Sequence, residues 1–183
     1  MATTLAAFRA LESEGLKVED AKFVAGHSLG EYSALAMAGS LSIGDAAKLL
    51  RIRGRAMQNA VPVGIGAMAA ILGLTYSDLV KVAKKAADNE VCQAANDNDP
   101  SQVVVSGHKG AVERAIEIAK EMGAKRAVLL PVSAPFHSEL MAPAALKMED
   151  ALSNTSVADP EIPLVSNVTV SYTHLTLPTT GSV

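Results

Sequence analysis

The chain has no tryptophan, and three phenylalanines and three tyrosines bring aromatics to only 3% of its 183 residues. A core without large rings must be filled by Ala, Val and Leu, which suits a helix-rich α/β protein. There is one cysteine, Cys92. An internal disulfide is therefore excluded, and the composition fits a reducing compartment. Cys92 lies in a strand-like run and reads as a small buried thiol. No apolar stretch reaches the roughly 20 residues of a membrane-spanning helix, and no signal-peptide pattern is present. The expected location is the cytoplasm, with no membrane partner. The net charge is −3 and no Lys/Arg cluster occurs, so no nucleic-acid surface is expected. Repeats and low-complexity linkers are also missing. What remains is 49% hydrophobic and 19% charged, as in ordinary globular proteins. The length allows one domain, or one large and one small subdomain.

Periodicity and punctuation divide the chain into short elements. Residues 3–15 read as a helix stopped by Gly15, and Lys22-Phe23-Val24-Ala25 as a short strand. Glu31 to Ala38 reads as a helix closed by Gly39. Ser42-Ile43-Gly44-Asp45 is a capping box that opens a long helix to about Asn59. From 60 to 141 the expected order is strand (Gly66–Leu74), helix (capped by Thr75, to Ala87), strand (Glu90–Ala95), strand (Gln102–Ser106), helix (Ala111–Met122), strand (Lys125–Val132). The turn between the middle strands is expected over Asn96-Asp97-Asn98-Asp99-Pro100. This β-α-β-β-α-β order is ferredoxin-like, and it reads as a small subdomain (60–141) inserted into a larger α/β unit (1–59 and 142–170). Ser133 to His137 is a loop, Ser138 is placed to cap a helix from Glu139 to about Leu152, and 162–170 reads as a strand. Residues 171–183 are uncharged, rich in Thr and Leu, and without a period. They resemble translated cloning sequence and are set aside with His174 as a non-native tail.

Two features point to chemistry. Gly26-His27-Ser28-Leu29-Gly30 is G-x-S-x-G between a strand and a helix, the pattern of a serine nucleophile on a sharp turn. A glycine on each side keeps Cβ atoms away from the turn, and the helix N-terminus supplies N–H donors for an oxyanion. The alternative is a glycine-flanked turn with a capping serine. The second feature is Arg53. In the long helix, Ala46, Leu49, Leu50, Met57 and Ala60 share one face, and Arg53 falls about 20° from its axis. A charge in a buried stripe needs a partner. That partner is either a carboxylate of the protein or a ligand anion, and the guanidinium fork suits bidentate carboxylate binding. Arg51 and Arg55 point the other way. A serine nucleophile also needs a base. His27 is the serine's neighbour and points elsewhere, so it reads as a ring packed beside the turn. His108 sits in a polar turn and reads as solvated. His137 follows Pro135-Phe136 at a loop-to-helix junction, and capping or catalysis suit it equally.

The segment Gly26–Leu35 resembles the active-site segment of bacterial malonyl-CoA:acyl carrier protein transacylases. Arg51–Gln58 and Val132–Ser138 resemble two further segments of that family, in the same order, and the resemblance covers about 1–170. It implies an α/β-hydrolase-like large subdomain, present in part, with an inserted ferredoxin-like small one. It implies Ser28 as nucleophile, His137 as its base, and Arg53 as the group that binds the free carboxylate of malonate. Leu29 would give a backbone oxyanion donor, and Phe136 would favour malonyl over bulkier methylmalonyl units. The partners implied are malonyl-CoA and acyl carrier protein. Coenzyme A is then part of a substrate, with no cofactor and no metal.

Family members begin before residue 1 with a strand and a Gly-Gln-Gly-type loop, and they continue past 170. The expectation is a chain truncated at both ends, and unstable or inactive alone. A polyketide synthase acyltransferase domain shares the chemistry and is the nearest rival. A serine hydrolase is a more distant one, against which Arg53 and the inserted unit argue.

Overall fold

The computed structural model describes residues 1–168 and the backbone of Tyr172–Thr173. His174 and the rest of the 171–183 stretch lie outside the described residues. In chain order the elements are α1 (Ala2–Ser13), β1 (Val24–Ala25), α2 (Gly30–Met37), α3 (Ile43–Gln58), β2 (Gly66–Leu72), α4 (Tyr76–Ala87), β3 (Cys92–Asp99), β4 (Gln102–His108), α5 (Lys109–Glu121), β5 (Arg126–Leu129), α6 (Ala142–Ser153), β6 (Leu164–Val165) and β7 (Tyr172–Thr173). The chain divides into two compact units, residues 1–54 with 145 onward, and residues 55–144.

The first unit holds a small mixed sheet in the order β1-β6-β7, with β1 parallel to β6 and β7 antiparallel to it. Val24 lies opposite Leu164. Against this sheet packs a core of Phe8, Leu35, Leu49, Leu152 and Ile162 around Ala38 and Ala46, both wholly buried. Alanines at those points let helix backbones approach closely, which replaces the volume that aromatic side chains would supply. α3 starts where the capping box puts it. Asp45 N donates to Ser42 Oγ at 3.0 Å, satisfying a free helix-end donor.

The second unit is a four-stranded antiparallel sheet, β3-β4-β2-β5, covered by α4 and α5. β2 runs through the middle, and Ala67 to Ile71 are all buried. Ala69 and Ile71 join Val103 and Val105 of β4 under Leu79 and Val82 of α4 and Val112 and Ala115 of α5. The helix stripes and strand alternation meet in one apolar layer. Cys92 is part of that layer, and burial pushes its thiol up to about 11.

Several boundaries differ from those read in the sequence. β3 extends to Asp99, through the polar run expected as a turn, and the reversal is confined to Pro100-Ser101. Register shifts at Ala94/Asn96 and Asp97/Asp99 let a run poor in strand formers stay paired. Of the strand expected over 162–170, the described residues, 162–168, form only Leu164–Val165, followed by a turn at Asn167-Val168. Ser138 does not cap a helix. Its hydroxyl donates to Pro135 O at 2.7 Å, a 3-10 turn spans Glu139–Met141, and α6 begins at Ala142. His108 ends β4, and its Nδ1 accepts from Val91 N at 2.9 Å, so its ring is tied to the backbone and is not simply solvated. His27 is exposed, not packed beside the turn.

Ile71→Ala is expected to lower unfolding free energy by about 2–5 kcal/mol, while Val80→Ala on the exposed side of α4 stays within about 0.5 kcal/mol. Denaturant titration of the two variants checks this. Cys92 is expected to resist iodoacetamide at pH 8, where roughly one thiol in a thousand is ionised at the raised pKa. Labelling that becomes fast only in denaturant is the readout.

Candidate active site

β1 ends at Ala25, α2 begins at Gly30, and four residues turn the chain between them. Ser28 sits in that turn at φ 51°, in the left-handed region. For a residue with a Cβ this conformation costs roughly 1–2 kcal/mol, so surrounding contacts must hold it. The turn closes through Gly30 N donating to His27 O at 2.8 Å and Glu31 N donating to Ser28 O at 3.2 Å. The two flanking glycines are unequal. A Cβ at Gly26 would overlap the carbonyl of Gly30, whereas one at Gly30 would meet nothing within 4 Å. Close backbone approach therefore requires glycine at 26 only.

Asn167, in the turn after β6, reaches into this bend. Its Oδ1 accepts from Ser28 N at 2.9 Å, and its Nδ2 donates to Gly26 O at 2.7 Å and to Glu31 Oε2 at 2.9 Å. The Asn167 backbone N donates to Glu31 Oε1 at 3.4 Å. Glu31 is only 5% exposed. Burial raises its pKa, while the bonds from Asn167 and the charge of Arg53 act in the opposite direction. Neither Asn167 nor Glu31 was singled out by the sequence. Glu31 reads there only as the first residue of a helix, and Asn167 falls within an expected strand.

Arg53 is 7% exposed, in the apolar stripe of α3 where the helical period puts it. Its Nη2 donates to Ser28 Oγ at 2.9 Å. Among the described residues no carboxylate lies within ion-pair distance of it. Burial lowers its pKa, and Tyr32 and Glu31 oppose that shift. The structure thus brings Ser28 and Arg53 together through a direct bond. Leu29 is exposed, and its backbone N–H has no partner among the described residues.

His137 and Phe136 belong to the second unit. His137 has φ 58° and is half-buried, as is Phe136. Their loop is anchored on both sides. Pro135 packs against Gly66 at the start of β2, where any Cβ would collide with the proline ring. Beyond the histidine, Glu139 N donates to Gln93 Oε1 at 2.7 Å and Gln93 Nε2 donates to Glu139 Oε1 at 2.6 Å, fastening the loop to β3. Among the described residues no group of three or more His, Cys, Asp or Glu is arranged to hold a metal ion. Nor is any helix among them long and apolar enough to cross a membrane.

The unequal glycines give a direct expectation. Gly26→Ala should destabilise the protein by at least about 1–3 kcal/mol, because backbone must move to admit the methyl group. Gly30→Ala should leave stability unchanged or slightly raised, since alanine suits a helix better. Thermal unfolding of the pair decides it.

Comparison with known proteins follows the same lines. The acyl transferase domain family matches residues 1–179. The malonyl CoA-acyl carrier protein transacylase of Escherichia coli is 46% identical over 170 residues, which are 93% of this chain and 54% of that protein. The crystal structure of acyl-carrier-protein-S-malonyltransferase from Bartonella henselae is 55% identical, with a TM-score of 0.87 over 90% of this chain and 53% of that one. A type II PKS acyl-carrier protein in complex with its malonyl-transacylase gives 43% identity and a TM-score of 0.89, over 92% and 54% of the two chains. The chain spans about half the length of the curated relatives it matches. It is an α/β protein with mixed and antiparallel sheets, and it belongs to the acyl transferase domain family.

Proposed function

We propose that this chain carries the serine and arginine of a malonyl-CoA:acyl carrier protein transacylase, which moves a malonyl group from coenzyme A to the phosphopantetheine thiol of acyl carrier protein in fatty acid synthesis. The observation that carries this reading is Arg53. A buried guanidinium donates to the candidate nucleophile, and among the described residues no carboxylate lies within ion-pair distance of it. Such a cation needs an anion, and a malonyl group attached to Ser28 brings a free carboxylate to that place. The relatives' names supply the acyl group and its carrier.

In this mechanism His137 takes the proton of Ser28, and Oγ attacks the thioester carbon of malonyl-CoA. The oxyanion accepts from the N–H of Leu29, because the Ser28 N–H is already given to Asn167. The C–S bond breaks, coenzyme A leaves with the proton from His137, and a malonyl-serine ester remains. The carrier thiol then gives its proton to His137 and attacks the ester. Malonyl-carrier departs, and the proton returns to Ser28. Arg53 moves its bond from Ser28 Oγ to the malonyl carboxylate, which selects this acyl group and orients the ester for transfer. Phe136 narrows the acyl site against a methyl branch. No metal or cofactor takes part, and a cytoplasmic setting suits these substrates.

The antiparallel order of the second unit, β3-β4-β2-β5 with both helices on one layer, supports a ferredoxin-like subdomain over 60–141. The parallel β1–β6 pair and the serine turn support reading 1–59 and 142–170 as part of an α/β-hydrolase-like subdomain. A transacylase serving a polyketide carrier protein is the second reading, favoured by likeness to the complex described above. Transfer rates to fatty-acid and polyketide carrier proteins separate the two.

Incubation of folded protein with malonyl-CoA should add one malonyl group by intact mass, and Ser28→Ala should abolish it. Absence of the adduct on folded wild-type protein would sink the proposal. Arg53→Ala should lower kcat/KM for malonyl-CoA by roughly 10–150-fold, the value of a charge-assisted hydrogen bond of about 1.5–3 kcal/mol. Activity on acetyl-CoA should fall far less. Equal losses on both substrates would remove Arg53 from carboxylate recognition.

A further inference from the structure

The chemistry above uses Asn167 only as the acceptor of Ser28 N–H and gives Glu31 no role, yet one amide bonds to both peptides that lead into the nucleophile. We propose that Asn167 is a positioning residue for Ser28, oriented by the buried carboxylate of Glu31. This inference rests on the acyltransferase reading only for its kinetic consequence.

The hydrogen bonds leave one orientation for the amide. Ser28 N–H is a donor and must face Oδ1, while Gly26 O and Glu31 Oε2 are acceptors and must face Nδ2. A flipped amide would set donor against donor at Ser28 and acceptor against acceptor at the other two. Glu31 therefore acts with Gly26 O and Ser28 N–H in deciding which end of Asn167 meets the serine, and it is the only side chain of the three. Its second oxygen takes the Asn167 backbone N–H at 3.4 Å, so the carboxylate holds both the side chain and the backbone of its partner. Glu31 lies in the first turn of α2 and Asn167 follows β6, so the clamp ties the helix that leaves the turn to the strand paired with β1.

Two consequences follow for Ser28. The bonds to Gly26 O and Ser28 N fix the two peptides that lead into the left-handed residue, and Glu31 N, donating to Ser28 O, holds the peptide after it, so the direction of Oγ is set from both sides. The bond to Ser28 N–H also removes that group as an oxyanion donor, so the N–H of the next residue, Leu29, is left for the task.

The test uses Asn167→Ala, Asn167→Asp, Glu31→Gln and the double variant Asn167→Asp/Glu31→Gln. In Asn167→Ala, amide exchange at Ser28 should rise by on the order of tenfold or more while α2 amides such as Leu35 stay unchanged. In Asn167→Asp a carboxylate faces Glu31, and single-turnover acylation by malonyl-CoA should slow by on the order of tenfold or more. Its amplitude should stay at one malonyl group per folded chain. Adding Glu31→Gln restores a donor–acceptor pair, and the double variant should acylate faster than Asn167→Asp alone. A merely structural role lowers amplitude, not rate, and gives no recovery in the double variant; either result overturns the proposal, as does unchanged exchange at Ser28 in Asn167→Ala. If wild-type protein forms no malonyl adduct, the acyltransferase reading falls, and the exchange measurement alone decides the clamp.

Discussion

A serine held at positive φ between a parallel strand and a helix is the constraint on which the first unit depends. The backbone there is unfavourable for any residue with a Cβ, so it persists only because neighbours leave no alternative. Gly26 must be bare, since the turn brings it against the Gly30 carbonyl. Asn167 must come from a segment far along the chain to bond to the two peptides that precede the serine. The short β1–β6 pairing places β6, and the turn after it delivers the amide. A buried core rich in alanine lets α2 and α3 lie close enough to that sheet for the arrangement to close.

Arg53 shows how an unfavourable burial is made useful. Moving a guanidinium out of water is expensive, and a protein carboxylate usually compensates. Here a serine hydroxyl takes one N–H, and the charge acts on Glu31 and Tyr32 without an ion pair to either among the described residues. A cation left with only neutral hydrogen bonding attracts an anionic ligand strongly, because the surrounding protein screens it less than water does. The Arg53 cation lies within hydrogen-bond distance of the hydroxyl of the candidate nucleophile.

The second unit solves a different problem. Its sheet is ordinary in packing, with a central strand buried along its length and two amphipathic helices on one layer. It also carries a loop fixed at two points, by Pro135 against Gly66 and by the paired bonds of Gln93 and Glu139. His137 lies between those anchors in a left-handed conformation of its own. Both candidate catalytic residues thus occupy strained backbone inside well-supported turns, where functional groups concentrate.

Local signals in the sequence determined most elements. The stop at Gly39, the caps at Ser42 and Thr75, the burial of Arg53 and the helical stripes all arise from neighbours within a turn or two, and each is legible because its physics is local. The G-x-S-x-G turn was legible for the same reason. Only the tertiary structure decided the rest. The polar run Asn96–Asp99 stays in β3 because β4 pairs with it through two register shifts, which no property of the run itself announces. Asn167 leaves an expected strand to clamp a serine 139 positions earlier, and Glu31, legible in the sequence only as the start of a helix, is its buried partner. Arg53 could have met a protein carboxylate or awaited a ligand, and the sequence held both options equally. Those outcomes depend on which distant groups folding brings within hydrogen-bond reach, and that information resides in packing, not in any window of the chain.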